Sequence, residues 1–315
     1  MRILIYGAGV LGSYLAHVLV RGDNDVTMLA RGQRVDELQK DGLVIRHYFQ
    51  LHTTVDKVSV IRELRPEDEY DLIFVVMKYS DFQTVLPVLA ANSSRHVVIT
   101  GNNASPAEML DYLQENSLVE KKVAFAFQNS GGWREEGRMI CVRGPKVQMS
   151  IGGLGEELIW RSVIDQAFVN TNYKLTYYED MEVWLKSHMM LILPMNFISP
   201  ASNGNLRQAA GNKKLLNQVI DAIDEGHQVL EALGYTVMPA SQPKLVREKR
   251  KMFYIGLKLV IAAPFGKILL SDRAVSADEM NALHHVFHEL KQRANIPTPN
   301  WDQLANHGPS VFKLT

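Results

Sequence analysis

An α/β fold, with a parallel sheet in the first part of the chain and helices alone in the second, is predicted by three features of the sequence. An apolar run, Ile3–Tyr6, leads through a glycine-spaced turn into a helical pattern. Short apolar runs then alternate with helical stretches, which is typical of βαβ units. After Asp180 the pattern becomes almost purely helical. These features predict a Rossmann-type parallel sheet domain, residues 1–178, and an all-helical C-terminal domain, residues 179–315.

The composition excludes several classes of protein. The 315 residues are 46% hydrophobic and 22% charged, an ordinary globular balance. The 34 basic residues equal the 34 acidic ones, so no net charge attracts nucleic acid or an anionic membrane. The first strand begins by residue 3 and no apolar run reaches about eighteen residues, so we expect a cytoplasmic protein. The one cysteine, Cys141, excludes an internal disulfide and a thiolate-cluster metal site, and it is expected to be a small apolar strand residue.

The turn after the first strand has the sequence Gly7-Ala8-Gly9-Val10-Leu11-Gly12. Its first glycine allows a tight turn, the second lets the backbone approach a pyrophosphate, and the third lets helix and strand pack closely. The free N–H groups and dipole of the following helix favour an anion there. A second strand, Asp25–Ala30, completes the βαβ unit and favours a dinucleotide site over a glycine-rich turn that binds nothing.

The residues after this second strand predict which dinucleotide binds. An NAD site carries an acidic residue about twenty residues past the glycines, whereas an NADP site carries arginine for the 2′-phosphate. Here Arg31 occupies that place and Arg34 offers a second charge. NADP(H) is therefore the expected cofactor, the alternative being that both arginines are solvated surface residues.

Polar residues follow two further predicted strands. Lys78 stands just past the apolar strand Leu72–Met77, and Asn102 and Asn103 follow the strand His96–Thr100. The carboxyl ends of parallel strands are where an open α/β sheet places ligand contacts. The asparagines are equally compatible with a simple turn, because this residue favours turns by itself.

Residues 123–178 contain short β-rich pieces separated by glycine pairs, and these pieces are interpreted as strands that extend the sheet. The basic cluster Lys244–Lys251 alternates with apolar residues, which favours a solvated helix face over a nucleic-acid patch. The predicted helices are Phe82–Ala91, Ala107–Gln114 with Ser105 as its cap, Glu156–Phe168, Met181–Met195, Lys213–Leu233, Leu245–Val260 and Ala277–Ala294.

Lys186 is the candidate proton donor. A nicotinamide enzyme that reduces a carbonyl group needs a proton donor for the carbonyl oxygen. Lys186 lies between large apolar residues such as Trp184, and loss of hydration favours the neutral amine that proton transfer produces. The alternative is an amphipathic lysine that reaches solvent. His188 lies on a different helix face and is interpreted as a packing histidine.

With these motifs in this order, the chain resembles the ketopantoate reductase (2-dehydropantoate 2-reductase) family along almost its whole length. The resemblance implies a Rossmann domain and a helical domain that reduce a 2-keto acid with NADPH, in pantothenate biosynthesis. It also implies a helical domain that binds substrate and forms a homodimer. The implied site residues are Arg31 and Lys78 for the cofactor, Asn102 for cofactor and substrate, Lys186 and Glu279 for catalysis, and Asn203 and Lys267 for substrate.

The sequence departs from the family in the expected substrate pocket. Met190 and Pro194 stand where the family has asparagines, and Lys267 or Gly266 replaces its carboxylate-binding serine. We therefore expect ketopantoate to be a poor substrate, unless Asn196, Asn203 or Asn205 fills the same space. The first hypothesis is an NADPH-dependent reductase of a small 2-keto acid. The second is an NADP(H)-binding sensor or regulatory protein without turnover.

Overall fold

The computed structural model describes residues 1–135, 137–144, 148–263, 266, 270 and 277–307. The chain forms two compact units, Met1–Glu182 and Val183–Thr315. Lys267 lies outside the described residues, so its predicted substrate contact stays a prediction. None of the helices within the described ranges is long and apolar enough to cross a membrane.

The first unit combines strands and helices. Its described strands are β1 (Arg2–Tyr6), β2 (Asp25–Leu29), β3 (Leu43–His47), β4 (His52–Asp56), β5 (Ser59–Ile61), β6 (Leu72–Val76), β7 (His96–Thr100), β8 (Lys122–Gln128), β9 (Ser130–Glu135), β10 (Arg138–Arg143), β11 (Gln148–Gly152) and β12 (Lys174–Tyr178). Its described helices are α1 (Val10–Arg21), α2 (Gln33–Asp41), α3 (Phe82–Ala91), α4 (Pro106–Asn116) and α5 (Arg161–Phe168).

The main sheet has the strand order β12-β11-β8-β7-β6-β1-β2-β5. Strands β5, β2, β1, β6, β7 and β8 are parallel to one another, which reproduces the 3-2-1-4-5-6 order of a Rossmann sheet. Successive strands are added on one side of β1 up to β5 and then on the other side from β6 onward. A crevice is therefore expected outside the carboxyl ends of β1 and β6. Strand β6, Leu72–Val76, is apolar and buried at every position, as expected of a central strand with both faces covered.

Two of the strands predicted to extend this sheet belong elsewhere. Strand β8 continues the parallel order, β11 pairs with it in antiparallel fashion and β12 completes that edge. Strands β9 and β10 instead join β3 and β4 in a small sheet of order β4-β3-β10-β9. The small sheet packs beside α1, where Met139 and Cys141 of β10 enter the hydrophobic core. Burial of an apolar face therefore decided which sheet these strands joined, and Cys141 is the buried strand residue that its sequence predicts.

The second unit is helical over the residues described. Its helices are α6 (Met181–Asn196), which begins two residues before the unit, α7 (Ile198–Ala201), α8 (Leu206–Gly211), α9 (Lys213–Ala232), α10 (Ser241–Arg247), α11 (Arg250–Ala262), α12 (Ala277–Ala294) and α13 (Pro299–Ala305).

The prediction of one helix over Leu245–Val260 is wrong, because α10 and α11 are separate. The amides of Glu248 and Lys249 both donate to the carbonyl of Lys244, which ends α10. Arg247 then pairs with Asp224 and Glu231 of α9. Part of the basic cluster therefore holds α10 on α9 rather than lying free in solvent.

Candidate functional site

The glycine turn joins β1 to α1, and packing requires its first and last glycines. Gly7 has φ +127°, and a Cβ there would overlap the carbonyl oxygen of Val76 on β6. A Cβ on Gly12 would overlap the carbonyl oxygen of Gly7. The turn therefore lies against β6, and α1 lies against the turn, only because these side chains are absent.

Gly9 has a different environment. Among the described residues, a Cβ on this residue would meet no atom within 4 Å. Gly9 is also the N-cap residue of α1, where no side chain makes a capping hydrogen bond and the first turn holds no acidic residue. The free N–H groups at the start of α1 thus face space that the protein leaves open, as an anion site at a helix N-terminus requires.

A cavity of about 510 Å³ opens at this turn, and we call it the strand-end cavity. It lies between the carboxyl ends of β1, β2 and β6 on one side and α3 and the small sheet on the other. Its lining residues are Tyr6, Gly7, Ala8, Gly9, Val10, Leu29, Ala30, Arg31, Arg34, Met77, Asp81, Thr84, Val85, Arg134 and Met139.

Arg31 projects from the end of β2 at the edge of the strand-end cavity. It is exposed, and its Nη2 donates to the hydroxyl of Tyr6 at 3.3 Å. Tyr6 ends β1 and pairs in register with Leu29, so one hydrogen bond joins the carboxyl ends of the two central strands. This geometry keeps the guanidinium beside the cavity with donors left over for an anion.

Arg34 has a structural role that its sequence position did not predict. Its side chain is buried, at 6% exposure. Nη1 donates to Glu37 at 3.2 Å and to the carbonyl oxygen of Gly137 at 3.3 Å, and Nη2 donates to the hydroxyl of Ser13 at 3.3 Å. Burial lowers the pKa of Arg34, while the hydrogen bond to Glu37 opposes that shift. Arg34 therefore contributes charge to the cavity wall but is held by α1, α2 and Gly137.

Arg134 of β9 is the third arginine of the cavity wall, and it also forms an ion pair with Glu37. Burial favours a higher pKa for Glu37, but the hydrogen bonds from Arg134 and Arg34 outweigh it and leave the pKa lowered. Sequence reasoning missed Arg134 and Glu37. No local motif marks them, because a strand of the small sheet brings them together from distant parts of the chain.

Lys78 and Asn102 follow their strands as predicted but are not among the described residues that line the cavity. Lys78 is exposed just before the short helical turn Tyr79–Asp81. Asn102 is half-buried after β7. Asn103 makes a turn, since its side-chain oxygen accepts from the amide of Ser105 at 3.1 Å. Ser105 is the N-cap residue of α4, yet its side chain makes no capping bond; its hydroxyl instead lies 2.5 Å from that of Tyr79.

Lys186 lies in the part of α6 that belongs to the second unit. Its side chain is 5% exposed, and its ammonium lies 5.4 Å from the ring centroid of Tyr235. Tyr235 lines a further cavity of about 370 Å³ together with residues such as Glu231 and Thr236. A lysine over an aromatic ring is held by a cation–π contact, which fixes its direction.

His188, one turn of α6 beyond Trp184, packs against that indole. The two rings are stacked, with centroids 5.2 Å apart and planes 14° from parallel. Burial lowers the pKa of His188 to about 4, so the imidazole is neutral at physiological pH. The contact is the packing role that sequence reasoning assigned to this histidine.

Met190 is a core residue. It is fully buried, and a Cβ on Gly226 of α9 would lie 3.0 Å from its side chain and from the ring of Trp301. The expectation that Met190 replaces a polar group of a substrate pocket is therefore not supported by its packing. Asn196, at the end of the same helix, contacts the sulfur of Met280 at 3.1 Å, next to the half-buried Glu279.

The segment Asn203-Gly204-Asn205 lies in the turn between α7 and α8. Asn203 is exposed and has φ +49°, a left-handed conformation that asparagine tolerates. The side chain of Asn205 caps α8 by accepting from the amide of Gln208 at 3.0 Å. Asn205 is thus engaged in the fold, and the substrate role expected of Asn203 stays a prediction.

The strand order, the glycine turn and the cavity at the strand ends define a Rossmann-type α/β protein. Residues 3–153 match the model of the family described as ketopantoate reductase PanE/ApbA. Together with the relatives and solved structures that follow, this match supports a divergent member of the ketopantoate reductase family.

Comparison with relatives shows how divergent the chain is. It is 24% identical over 240 residues to the 2-dehydropantoate 2-reductase of Pyrococcus abyssi, covering 73% of each chain. The structure of a PanE/ApbA family ketopantoate reductase from Ralstonia eutropha JMP134 superposes with a TM-score of 0.72 at 18% identity, covering 99% of this chain and 98% of that one. D-mandelate dehydrogenase with NADH and anilino(oxo)acetate gives the same score and coverage at 15% identity. At these identities the two solved structures establish the fold alone.

Proposed function

We propose that the protein reduces a small 2-keto acid to the corresponding 2-hydroxy acid with NADPH. The observation that carries the proposal is the strand-end cavity, where open space at Gly9 meets Arg31 at the end of β2. The match to the family model and the similarity to curated 2-dehydropantoate 2-reductases support an oxidoreductase that acts on a CH–OH group. The choice of NADPH rests on Arg31, which stands where an NAD site carries an acid.

The residues of the first unit fit a dinucleotide. The uncapped start of α1 supplies N–H donors for the pyrophosphate, and the bare backbone at Gly9 lets it approach. Arg31 would contact the 2′-phosphate through its planar fork of donors. Lys78 and Asn102, at the carboxyl ends of neighbouring strands, are proposed as further cofactor contacts, Asn102 also toward substrate.

The cofactor supplies a hydride to the carbonyl carbon when bound. Lys186 would donate the proton that the carbonyl oxygen requires, and the ring of Tyr235 would hold its ammonium. Glu279, in the first turn of α12, would orient the substrate. Asn196, in contact with the neighbouring Met280, supplies an amide close to that turn. Asn203 and Lys267 complete the proposed substrate contacts.

One observation favours a second candidate, an NADP(H)-binding sensor without turnover. Lys186 is only 5% exposed, and a proton donor must reach the reacting oxygen. A sensor would need only the dinucleotide site of the first unit. The two candidates share cofactor binding and differ in whether Lys186 is used.

Oxidation of NADPH, followed by absorbance over a panel of 2-keto acids, separates these candidates. The panel includes ketopantoate and aryl 2-keto acids, since relatives of this fold are named for both kinds of substrate. A reductase is expected to turn over at least one acid, and Lys186→Ala is expected to lower that turnover by about 10²–10⁴-fold. Tight NADPH binding with no turnover of any acid would favour the sensor.

The panel also tests the expectation that ketopantoate is a poor substrate. That expectation began from Met190 and Pro194, and the packing of Met190 in the core weakens it. A specificity constant for ketopantoate of about 10⁴ M⁻¹s⁻¹ or more, above every other acid, would place the protein with ordinary ketopantoate reductases.

A further inference from the structure

We infer that Arg134, on the small sheet, supplies a second guanidinium to the 2′-phosphate of NADPH and that Glu37 pairs with Arg134 when no cofactor is bound. The inference rests on the proposed function and adds a specificity residue to it. Both residues lie outside the glycine turn and the β2 end where such specificity is ordinarily sought.

The course of β9 brings Arg134 to the strand-end cavity. At Gly132 the strand passes so close to α1 that a Cβ would lie 3.0 Å from the side chain of Val10. Arg134 follows Gly132 by two residues on the same strand. There it meets Glu37 of α2 and lines the cavity with Arg31 and Arg34.

The three arginines differ in their freedom to bind a ligand. Arg34 is fixed by hydrogen bonds to Ser13, Glu37 and Gly137 and is 5% exposed. The side chain of Arg134 is 42% exposed, and its ion pair is with a carboxylate that Arg34 also satisfies. Arg134 can therefore leave Glu37 for a phosphate without stranding a buried charge, which moving Arg34 would do.

The charge of this part of the cavity wall fits a phosphate dianion. Among the lining residues, Arg31, Arg34 and Arg134 contribute three positive charges and Asp81 one negative charge. Glu37, behind this lining, pairs with Arg34 and Arg134. A second phosphate-binding arginine adds charge and fixed donors that NADH, without the 2′-phosphate, cannot use. Glu37 competes with the phosphate for Arg134 and so limits the preference for NADPH.

The test measures dissociation constants of NADPH and NADH for the full chain and its variants by fluorescence titration. Arg134→Gln is expected to weaken NADPH binding roughly tenfold, as the loss of one charge-assisted contact, and to leave NADH within about twofold. Glu37→Gln keeps a hydrogen-bond acceptor and removes the competing charge, so it is expected to tighten NADPH binding selectively. The two variants thus shift the NADPH preference in opposite directions.

Arg138→Gln is the matched control. Arg138 lies on the neighbouring strand, its side chain is also 42% exposed, and it pairs with Glu135 at 3.4 Å. It is not among the described residues that line the cavity, so neither constant should change. Thermal melts of all variants test folding. Arg134→Lys, whose NADPH affinity is expected to fall between those of wild type and Arg134→Gln, replaces Arg134→Gln if that variant does not fold.

The outcomes separate this inference from the proposed function. Equal losses of NADPH and NADH in Arg134→Gln would assign the residue to the pyrophosphate and overturn the inference, as would no loss of either. If the wild-type protein binds neither cofactor, the proposed function itself is wrong. Competition by 2′-AMP, weaker in Arg134→Gln than in wild type, would confirm that the contact is to the 2′-phosphate.

Discussion

The Nη2 of Arg31 lies 3.3 Å from the hydroxyl oxygen of Tyr6, and this hydrogen bond joins the carboxyl ends of β2 and β1. Tyr6 is buried, whereas Arg31 is exposed. A fixed hydroxyl thus limits the directions of a mobile guanidinium at the edge of the cavity. Such restraint lowers the entropy cost of binding a phosphate.

Arg31→Ala is expected to remove most of the preference for NADPH over NADH. A charge-assisted contact contributes about 1.5–3 kcal/mol, or roughly ten- to hundredfold in affinity. Parallel titrations with both cofactors measure the effect, and Arg95→Ala, an exposed arginine elsewhere on the first unit, is the control. Equal affinities of the native protein for NADPH and NADH would refute the assignment of Arg31.

Gly9→Ala and Gly12→Ala are expected to affect different properties. The Cβ on Gly9 would meet no atom of the described residues within 4 Å, so the unfolding free energy should change by less than about 1 kcal/mol while dinucleotide affinity falls. The Cβ on Gly12 overlaps the carbonyl of Gly7, so that variant should lose much of its stability. Urea unfolding and cofactor titration on each variant separate the two effects. Unchanged cofactor affinity in Gly9→Ala would contradict the proposed pyrophosphate site.

Lys186→Ala is expected to lower turnover by about 10²–10⁴-fold with little change in cofactor affinity, because a general acid acts in the transition state. Lys186→Met fills the same volume and guards against loss of packing at this buried position. The exposed Lys174→Ala is the control. Near-native turnover in the folded Lys186→Met protein would exclude the lysine as proton donor.

The stability of the protein is expected to fall as the pH drops from about 6.5 to about 4. Burial lowers the pKa of His47 to about 4, aided by His17, His52 and Arg143 and opposed by Asp56. In this window the unfolded chain binds a proton that the folded chain does not, so His47 adds a slope of ~1.4 kcal/mol per pH unit. The contribution of His47 to the free energy of unfolding is fully present above its pKa in the unfolded chain, about 6.5.

Burial likewise lowers the pKa of His284 to about 4, aided by His285, His288 and Lys291 and opposed by Asp302. Urea unfolding measured at several pH values should show the slope. Replacement of either His47 or His284 by glutamine should reduce this slope by the contribution of one proton, ~1.4 kcal/mol per pH unit. A slope that neither substitution changes would show that other groups cause the acid sensitivity.

Glu225→Ala is expected to destabilise the protein by about 1–3 kcal/mol, because buried N–H groups lose their acceptor. The buried carboxylate accepts from the amide of Asn300 at 3.1 Å, from the side-chain amide of that residue at 2.7 Å and from the amide of Trp301 at 2.9 Å. It thereby caps the start of α13. Urea unfolding midpoints measure the loss, and Glu289→Ala, at an exposed position, is the control. Equal midpoints for Glu225→Ala and Glu289→Ala would contradict the capping role.

The sequence by itself determined the elements whose patterns are local. Strand His96–Thr100 and helices Phe82–Ala91 and Ala277–Ala294 have the predicted bounds, and most others differ by one or two residues. The glycine turn was predictable for the same reason, since its spacing reports a tight turn between a strand and a helix. Arg31 follows β2 directly, so its position at the strand end was predictable too.

Only the tertiary structure decided which strands share a sheet and which side chains meet. The alternation of β9 and β10 predicts strands but not their partners, because period-two patterns specify a buried face and not the element that buries it. Arg34 and Gly137 are 103 residues apart, and Arg134 and Glu37 are 97 apart. No local pattern encodes contacts over such separations. The burial of Arg34 and the position of Arg134 at the cavity both depend on the packing of the small sheet beside α1.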